Sequence, residues 1–173
     1  MIQLRNKYVL LDRDGVINMD RDDYVYSPDH FVFIPGAVDA MKDLHRAGYG
    51  LIVITNQAGI AKGLYKREDM ELCHNIIREA TGGIIEHFYY SPWHPVLTES
   101  LTRKPGSLLF EKALARYHFD VRYSWMIGDK DRDLVPAKKI GLNTIQVKYA
   151  NSVNADHYAE NLREAAGLIL EKA

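Results

Sequence analysis

The sequence contains one cysteine, Cys73, so no disulfide can close within the chain and no thiolate cage for structural zinc can be assembled. Cys73 itself reads as a small buried residue on a helix face rather than a nucleophile. No apolar run approaches the roughly 20 residues that cross a bilayer. The opening MIQLRNKYVLLDRDG lacks a signal-peptide layout, because its apolar stretch runs straight into charged residues; the cytoplasm is the expected compartment. Excess charge of one sign is missing too: 22 basic and 23 acidic side chains leave a net charge of −1. That balance argues against a polyanion binder working by bulk charge and leaves room only for a local basic patch. There is no repeat, low-complexity tract or Pro/Gly/Ser-rich linker. With 173 residues, 47 % hydrophobic and 26 % charged, residues 1–173 are expected to form one soluble domain around one core.

Short β-rich runs alternate with longer amphipathic segments. Tyr8–Leu11, Leu51–Ile54, Ile84–Tyr90, Ser124–Ile127 and Thr144–Val147 read as strands, with His157–Ala159 as a brief edge strand. Helices are expected over Ala37–Ala47, Glu68–Ala80, Ser107–Tyr117, Leu134–Ile140 and Leu162–Leu170, the first two stopped by Gly48 and Gly82-Gly83. Such alternation implies an α/β, Rossmann-like three-layer sandwich with a central parallel sheet. In that architecture ligands bind beyond the carboxyl ends of the strands.

Chemistry-bearing residues stand at those ends. Asp12-Arg13-Asp14-Gly15 follows the first strand and Thr55-Asn56 the second. Arg103-Lys104-Pro105-Gly106 precedes a helix, and Gly128-Asp129-Lys130 follows the fourth strand. Asp12 and Asp129 can place two anionic oxygens on Mg²⁺, a hard dication that keeps waters and suits a sparse carboxylate site. Asp12 can attack phosphorus to give an aspartyl-phosphate, and Asp14 can protonate the leaving oxygen and later deprotonate water. The Thr55 hydroxyl and Lys104 ammonium can hold the oxygens whose charge shifts in the transition state. Gly15 permits a turn with N–H groups facing the phosphate. Taken singly, each element has a plainer reading as a turn, a capping pair, a loop or a solvated acid. Their order, one at each strand end, is what singles out phosphoryl chemistry.

In these four motifs the chain resembles the haloacid dehalogenase (HAD) superfamily of phosphatases, over residues 8 to about 147. DRDGVIN, ITNQAGIAKG, FYYSPWHP, RKPG and IGDKDRD resemble, more narrowly, the D-glycero-D-manno-heptose 1,7-bisphosphate phosphatase family and its relatives, the histidinol-phosphate phosphatases. The resemblance implies that Asp12 is nucleophile and metal ligand, and that Asp14 is the acid/base with its backbone carbonyl on Mg²⁺. Asp129 becomes the third protein ligand, and Thr55 and Lys104 bind the transferring phosphoryl group. Asn56, Arg103 and Lys130 are implied to face the substrate, with Asp133 orienting Lys130 or a metal-bound water.

Two departures accompany the resemblance. Val16 stands where many relatives have Thr, and no hydroxyl is available there. Ser91, Trp93, Ser100 and Thr102 occupy positions where relatives often carry Cys and His ligands, so no structural zinc is expected despite the nearby His94. The short Ser91–Thr102 loop is then expected to be held by packing of Trp93 with Pro92 and Pro95. The spacing from Asp14 to Thr55 holds only a loop and a helix, so no separate cap domain is expected. Tyr24 and Tyr26 either stack on a sugar or are half-buried loop aromatics. The expected partner is a small phosphorylated metabolite met by a monomer, with no nucleic acid and no membrane. The alternatives are a histidinol-phosphate phosphatase, a nucleic-acid 3′-phosphatase, a receiver-like phospho-aspartate switch and an inactive binding module. Near-zero net charge disfavours the nucleic-acid substrate, and Asp14 disfavours a long-lived phosphoryl switch.

Overall fold

A computed structural model describes residues 5–172; the first four residues of the amino-terminal segment read above lie outside the described residues. Six strands form one parallel sheet: β1 (Tyr8–Leu11), β2 (Gly50–Asn56), β3 (Ile85–Ser91), β4 (Trp125–Gly128), β5 (Asn143–Val147) and β6 (His157–Ala159). Their order across the sheet is β3-β2-β1-β4-β5-β6, and every pairing is parallel. Five helices connect them: α1 (Ala37–Arg46), α2 (Arg67–Thr81), α3 (Leu108–Tyr117), α4 (Asp131–Lys139) and α5 (Leu162–Leu170).

Side-chain alternation along the central strands builds two separate cores. Val9, Leu11, Leu51, Val53 and Ile127 face the layer made by α1, α2 and α5, where Met41, Leu44, Ile77 and Ile169 are buried. Tyr8, Leu10, Ile52, Ile54 and Met126 face α3 and α4, meeting Phe110, Ala113, Leu134 and Ala137. Strands buried on both faces carry unbroken apolar runs, which is why β1 and β2 were legible in sequence. Among the described residues, no helix is long and apolar enough to cross a membrane. Cys73 is fully buried on α2.

Two element ends differ from the sequence reading, and both shape the site. β2 runs on through Thr55 and Asn56, because β3 continues alongside it and pairs Thr55 with Tyr90 and Asn56 with Ser91. Helix α4 begins at Asp131 instead of Leu134. The Asp133 carboxylate turns back to accept the Lys130 N–H at 3.1 Å, the reciprocal contact that starts a helix three residues earlier. Asp133 and Arg132 therefore sit in a helical first turn, beside β4 and above the sheet edge. The 12–36 segment between β1 and α1 holds a 3₁₀ turn at Pro28–His30 and no larger element.

Candidate active site

Because all strands run the same way, Asp12, Thr55, Asn56 and Asp129 arrive at one edge of the sheet. Asp12 is fixed on both sides: its N–H donates to Ile127 O at 3.0 Å, and its Oδ1 accepts the Arg13 N–H at 2.7 Å. Lys104 reaches in from the loop before α3. Its ammonium stands 3.0 Å from Asp12 Oδ1 and 2.7 Å from Asp133 Oδ1, and donates to Ile54 O at 2.7 Å. All three ammonium hydrogens are thereby engaged, so Lys104 fixes the Asp12 carboxylate and neutralises charge beside it. The Asp133 carboxylate serves both the Lys104 ammonium and the Lys130 N–H, so it touches Lys130 through its backbone.

The electrostatics of this cluster call for a cation. Asp12, Asp129, Asp133 and Lys104 are all buried, and one carboxylate oxygen from each Asp lies within 4.8 Å of the others. Both oxygens of Asp129 are buried without a hydrogen-bond partner. Three buried carboxylates face one buried ammonium, with the partly exposed Lys130 ammonium 3.6 Å from Asp129 as a further counter-charge. Burial, reinforced by Asp133, pushes the Asp12 carboxyl up, and burial and Asp12 do the same to Asp129. Lys104 loses by burial but is held protonated above the usual lysine range by Asp12 and Asp133. Clustered buried carboxylates with unpartnered Asp129 oxygens fit a dication bound at Asp12 and Asp129. Gly15 makes room: its φ is +84°, and a Cβ there would lie 2.5 Å from Asp129 Oδ2. Gly128 does likewise for Asp133, whose Cβ would be 2.3 Å from an added one.

Asp14 is held apart from that cluster. Its Oδ1 accepts Arg13 Nε at 3.2 Å, Arg13 Nη2 at 2.9 Å and Asn18 Nδ2 at 2.9 Å, while its Oδ2 accepts Gln57 Nε2 at 3.0 Å. The same Gln57 amide donates to Thr55 Oγ1 at 2.8 Å, and its Oε1 accepts the Tyr65 hydroxyl at 2.7 Å. Thr55 thus has its oxygen occupied as an acceptor and its own hydroxyl hydrogen free to donate. The Gly15 N–H, by contrast, closes the turn onto Asn18 O at 2.8 Å.

A cavity of about 200 Å³ opens over Asp12 and Asp14. Asn56, Lys130, Tyr24 and Arg132 line it, together with Asp20, Arg21, Asp22 and Val25. Asn56 uses its amide to clip the incoming loop, donating to Lys104 O at 3.1 Å and accepting the Lys104 N–H at 3.0 Å. Lys130 is pinned by Asp20 at 2.9 Å and stands 3.6 Å from Asp129. Arg103 donates to Trp93 O at 3.0 Å. Tyr24 takes the Lys62 ammonium on its hydroxyl at 2.9 Å, whereas the Tyr26 ring stacks on Tyr65 with centroids 4.9 Å apart. Tyr26 is therefore internal support, and Tyr24 alone of the pair faces the cavity. A larger groove of about 520 Å³ lies at the opposite sheet edge among Lys7, Tyr49, Arg122 and Trp125, with no carboxylate in its lining.

The sequence profile of the HAD-hydrolase-like family matches residues 101–168. A D-glycero-β-D-manno-heptose-1,7-bisphosphate 7-phosphatase of Pseudomonas putida is 37 % identical over 146 residues, covering 82 % of each chain. The enzyme of that name from Photorhabdus laumondii is 37 % identical over 175 residues, covering 94 % of this chain and 88 % of its own. The chain belongs to this heptose-bisphosphate phosphatase family. Among solved structures, the D,D-heptose 1,7-bisphosphate phosphatase of B. bronchiseptica, complexed with magnesium and phosphate, superposes with a TM-score of 0.89 at 27 % identity, covering 96 % of this chain and 99 % of that one.

Within the heptose-bisphosphate phosphatase family resemblance, the two departures noted in sequence have structural substitutes. Val16 is fully buried in the core under α1, where a methyl pair packs and a hydroxyl would need a partner. At the positions compared with zinc ligands, hydroxyls bond to one another: Ser91 Oγ to Thr102 Oγ1 at 2.9 Å, and Ser100 Oγ to Thr102 Oγ1 at 2.7 Å. This chain, not aromatic packing, ties the loop to the end of β3; Trp93 is 44 % exposed, which corrects the expectation for it. Arg13, Gln57, Tyr65 and Arg132 were not singled out in sequence. Arg13 looks like a solvated charge between two acids, yet it is wholly buried, with Nη2 donating to Val25 O. Only Gln57, adjoining Thr55-Asn56, carried a local hint.

Proposed function

We propose that this chain is a Mg²⁺-dependent phosphomonoesterase that removes one phosphate from D-glycero-D-manno-heptose 1,7-bisphosphate through an aspartyl-phosphate on Asp12. The observation that carries the reading is the buried Asp12–Lys104–Asp133 cluster beside Asp129, whose buried oxygens have no hydrogen-bond partner, in a chain of this family. Asp12 and Asp129, with the Asp14 backbone carbonyl, would hold Mg²⁺, which supplies charge neutralisation between the nucleophile and the phosphoryl oxygens.

Asp12 Oδ1 is tied to Arg13 N–H and Lys104, so Oδ2 is the attacking oxygen. It forms a bond to phosphorus as the bond from phosphorus to the sugar oxygen breaks, and Asp14 passes a proton to that oxygen. Asp14 then takes a proton from water as the water oxygen attacks the same phosphorus, and Asp12 leaves as a carboxylate. The free Thr55 hydroxyl hydrogen donates to a phosphoryl oxygen. Arg13, Asn18 and Gln57 keep the Asp14 carboxyl oriented between the two steps. Asn56 sets the Arg103–Lys104 loop against β2, and Arg103 and Lys130 are retained as substrate-facing residues of the rim.

We place the whole site in one HAD-type domain over residues 1–173 without a separate cap, working as a monomer in the cytoplasm on a small metabolite rather than on nucleic acid or membrane. The absence of a larger element in 12–36 supports the lack of a cap, and the net charge of −1 disfavours nucleic acid. The test is phosphate release from both heptose bisphosphate anomers and from histidinol phosphate, with Mg²⁺ and with EDTA. The heptose substrate should be preferred and EDTA should abolish turnover. Preference for histidinol phosphate would reassign the substrate. Retention of ³²P on the protein for minutes after exposure to a small phosphodonor would instead favour a switch.

A further inference from the structure

The cations around the cavity divide by what already neutralises them. Lys104 stands between Asp12 and Asp133, Arg13 is paired with Asp14 at 2.9 Å, and Arg21 with Asp23 at 2.8 Å. Lys130 has Asp20 and, further off, Asp129. Arg132 is different. Among the described residues it has no carboxylate partner, its Nε is buried with no hydrogen-bond partner, and its side chain lines the cavity beside Asp12, Asp14 and Lys130. It occupies the second position of α4, so the early start of that helix is what carries it to the rim.

Arg103 lies near it. Burial and the Arg132 charge together hold the Arg103 guanidinium below its usual range, and its Nη1 donates to Trp93 O. The Arg132 charge is felt at Arg103, and the buried Arg132 Nε–H has no acceptor. An anion bound at Arg132 relieves both conditions. A phosphate monoester matches the planar fork of donors better than a carboxylate-neutralised lysine can.

We propose that Arg132 binds the second anionic group of the substrate, a phosphate ester remote from the bond that is cut, and that Arg132 rather than Lys130 sets the preference for a bisphosphate. The proposal rests on the phosphatase reading above and refines it. The reacting phosphoryl group already has Thr55 and Asp12 to meet it, and Lys130 spends its charge on Asp20. Arg132 is the cation left to distinguish a sugar with two phosphates from a sugar with one.

The experiment compares wild type with Arg132→Met and Arg132→Lys on heptose 1,7-bisphosphate and on heptose 7-phosphate, which shares the leaving group and lacks the second phosphate. Thermal melts confirm folding, and competitive inhibition by heptose 1-phosphate gives a binding readout independent of turnover. For Arg132→Met, KM for the bisphosphate should rise tenfold or more with kcat changed less than threefold, as loss of uniform binding requires. The bisphosphate-to-monophosphate ratio of kcat/KM should fall at least tenfold, and the inhibition constant of heptose 1-phosphate should rise by a similar factor. Arg132→Lys should recover part of the ratio. Equal losses on both substrates would place Arg132 on the reacting phosphoryl group and overturn the proposal, as would an unchanged ratio. Failure of the wild type to hydrolyse the bisphosphate would overturn the functional reading itself, a result distinct from either.

Discussion

Replacing Lys104 with Met tests the electrostatic account most sharply, because the structure fixes what is left behind. The ammonium is 2 % exposed and contacts Asp12, Asp133 and Ile54 O at 3.0, 2.7 and 2.7 Å. Met fills nearly the same volume, so little of the effect comes from packing. Two buried carboxylates and a carbonyl lose their shared cation, and breaking a buried pair from one side costs about 3–5 kcal/mol. The loss should depend on pH. Burial already raises the Asp12 carboxyl, and removing Lys104 raises it further, so near pH 6 Asp12 can take a proton and shed the unpaired charge. The higher the pH, the more that protonation costs. Urea unfolding in EDTA should therefore show a larger loss at pH 8 than at pH 6, growing toward ~3–5 kcal/mol as the pH rises further. Mg²⁺ should return part of it at pH 8, since a ligand that binds only the folded state stabilises it. A loss under about 1 kcal/mol at pH 8, or one independent of pH, would refute a buried, charge-deficient cluster.

Gln57→Leu removes the amide that joins Asp14 to Thr55 while keeping the side chain's bulk; kcat should fall ~10–100-fold, in the range of general acid–base contributions, and fall further with sugar phosphates than with p-nitrophenyl phosphate, whose leaving group needs no proton. A uniform loss across leaving groups would count against the Asp14 connection. His74 is fully buried against Phe88 with neither ring nitrogen hydrogen-bonded, and burial, with help from Arg13 and Arg78, lowers its pKa to about 3. The unfolded chain binds a proton near pH 6.5 that the folded chain refuses, so stability falls as pH drops from 6.5 toward 3, by about 2 kcal/mol at pH 5. His74→Leu should flatten that slope in urea titrations between pH 6.5 and 5; an identical slope would remove His74 as its source.

How much was visible beforehand follows from the range of the interactions involved. Asp12, Thr55 and Asp129 were legible because apolar strands buried on both faces announce their own ends, and parallel pairing brings those ends together. Arg13 was not legible: its burial depends on Val25 and Asp14 closing around it, a matter of loop path rather than of local pattern. The start of α4 was not legible because the apolar residues begin at Leu134, after the charged Asp131, Arg132 and Asp133; the Asp133 contact to the Lys130 N–H is what shows that the helix starts earlier, with Pro136 inside it. The same shift concealed Arg132. The hydroxyl chain of Ser91, Ser100 and Thr102 joins residues from both ends of a loop, and each of them alone reads as an ordinary polar residue.

The central claim is that Asp12 carries the phosphoryl group. Its most direct measurement is acid quench of Asp14→Asn during turnover of ³²P-labelled p-nitrophenyl phosphate with Mg²⁺, a substrate whose departure needs no acid while hydrolysis of the intermediate still needs the base. Hydroxylamine-labile label should accumulate on the peptide that contains Asp12 and be lost when Asp12→Asn is added. Turnover by Asp14→Asn with no label on that peptide, or wild-type rates in Asp12→Asn, would contradict it.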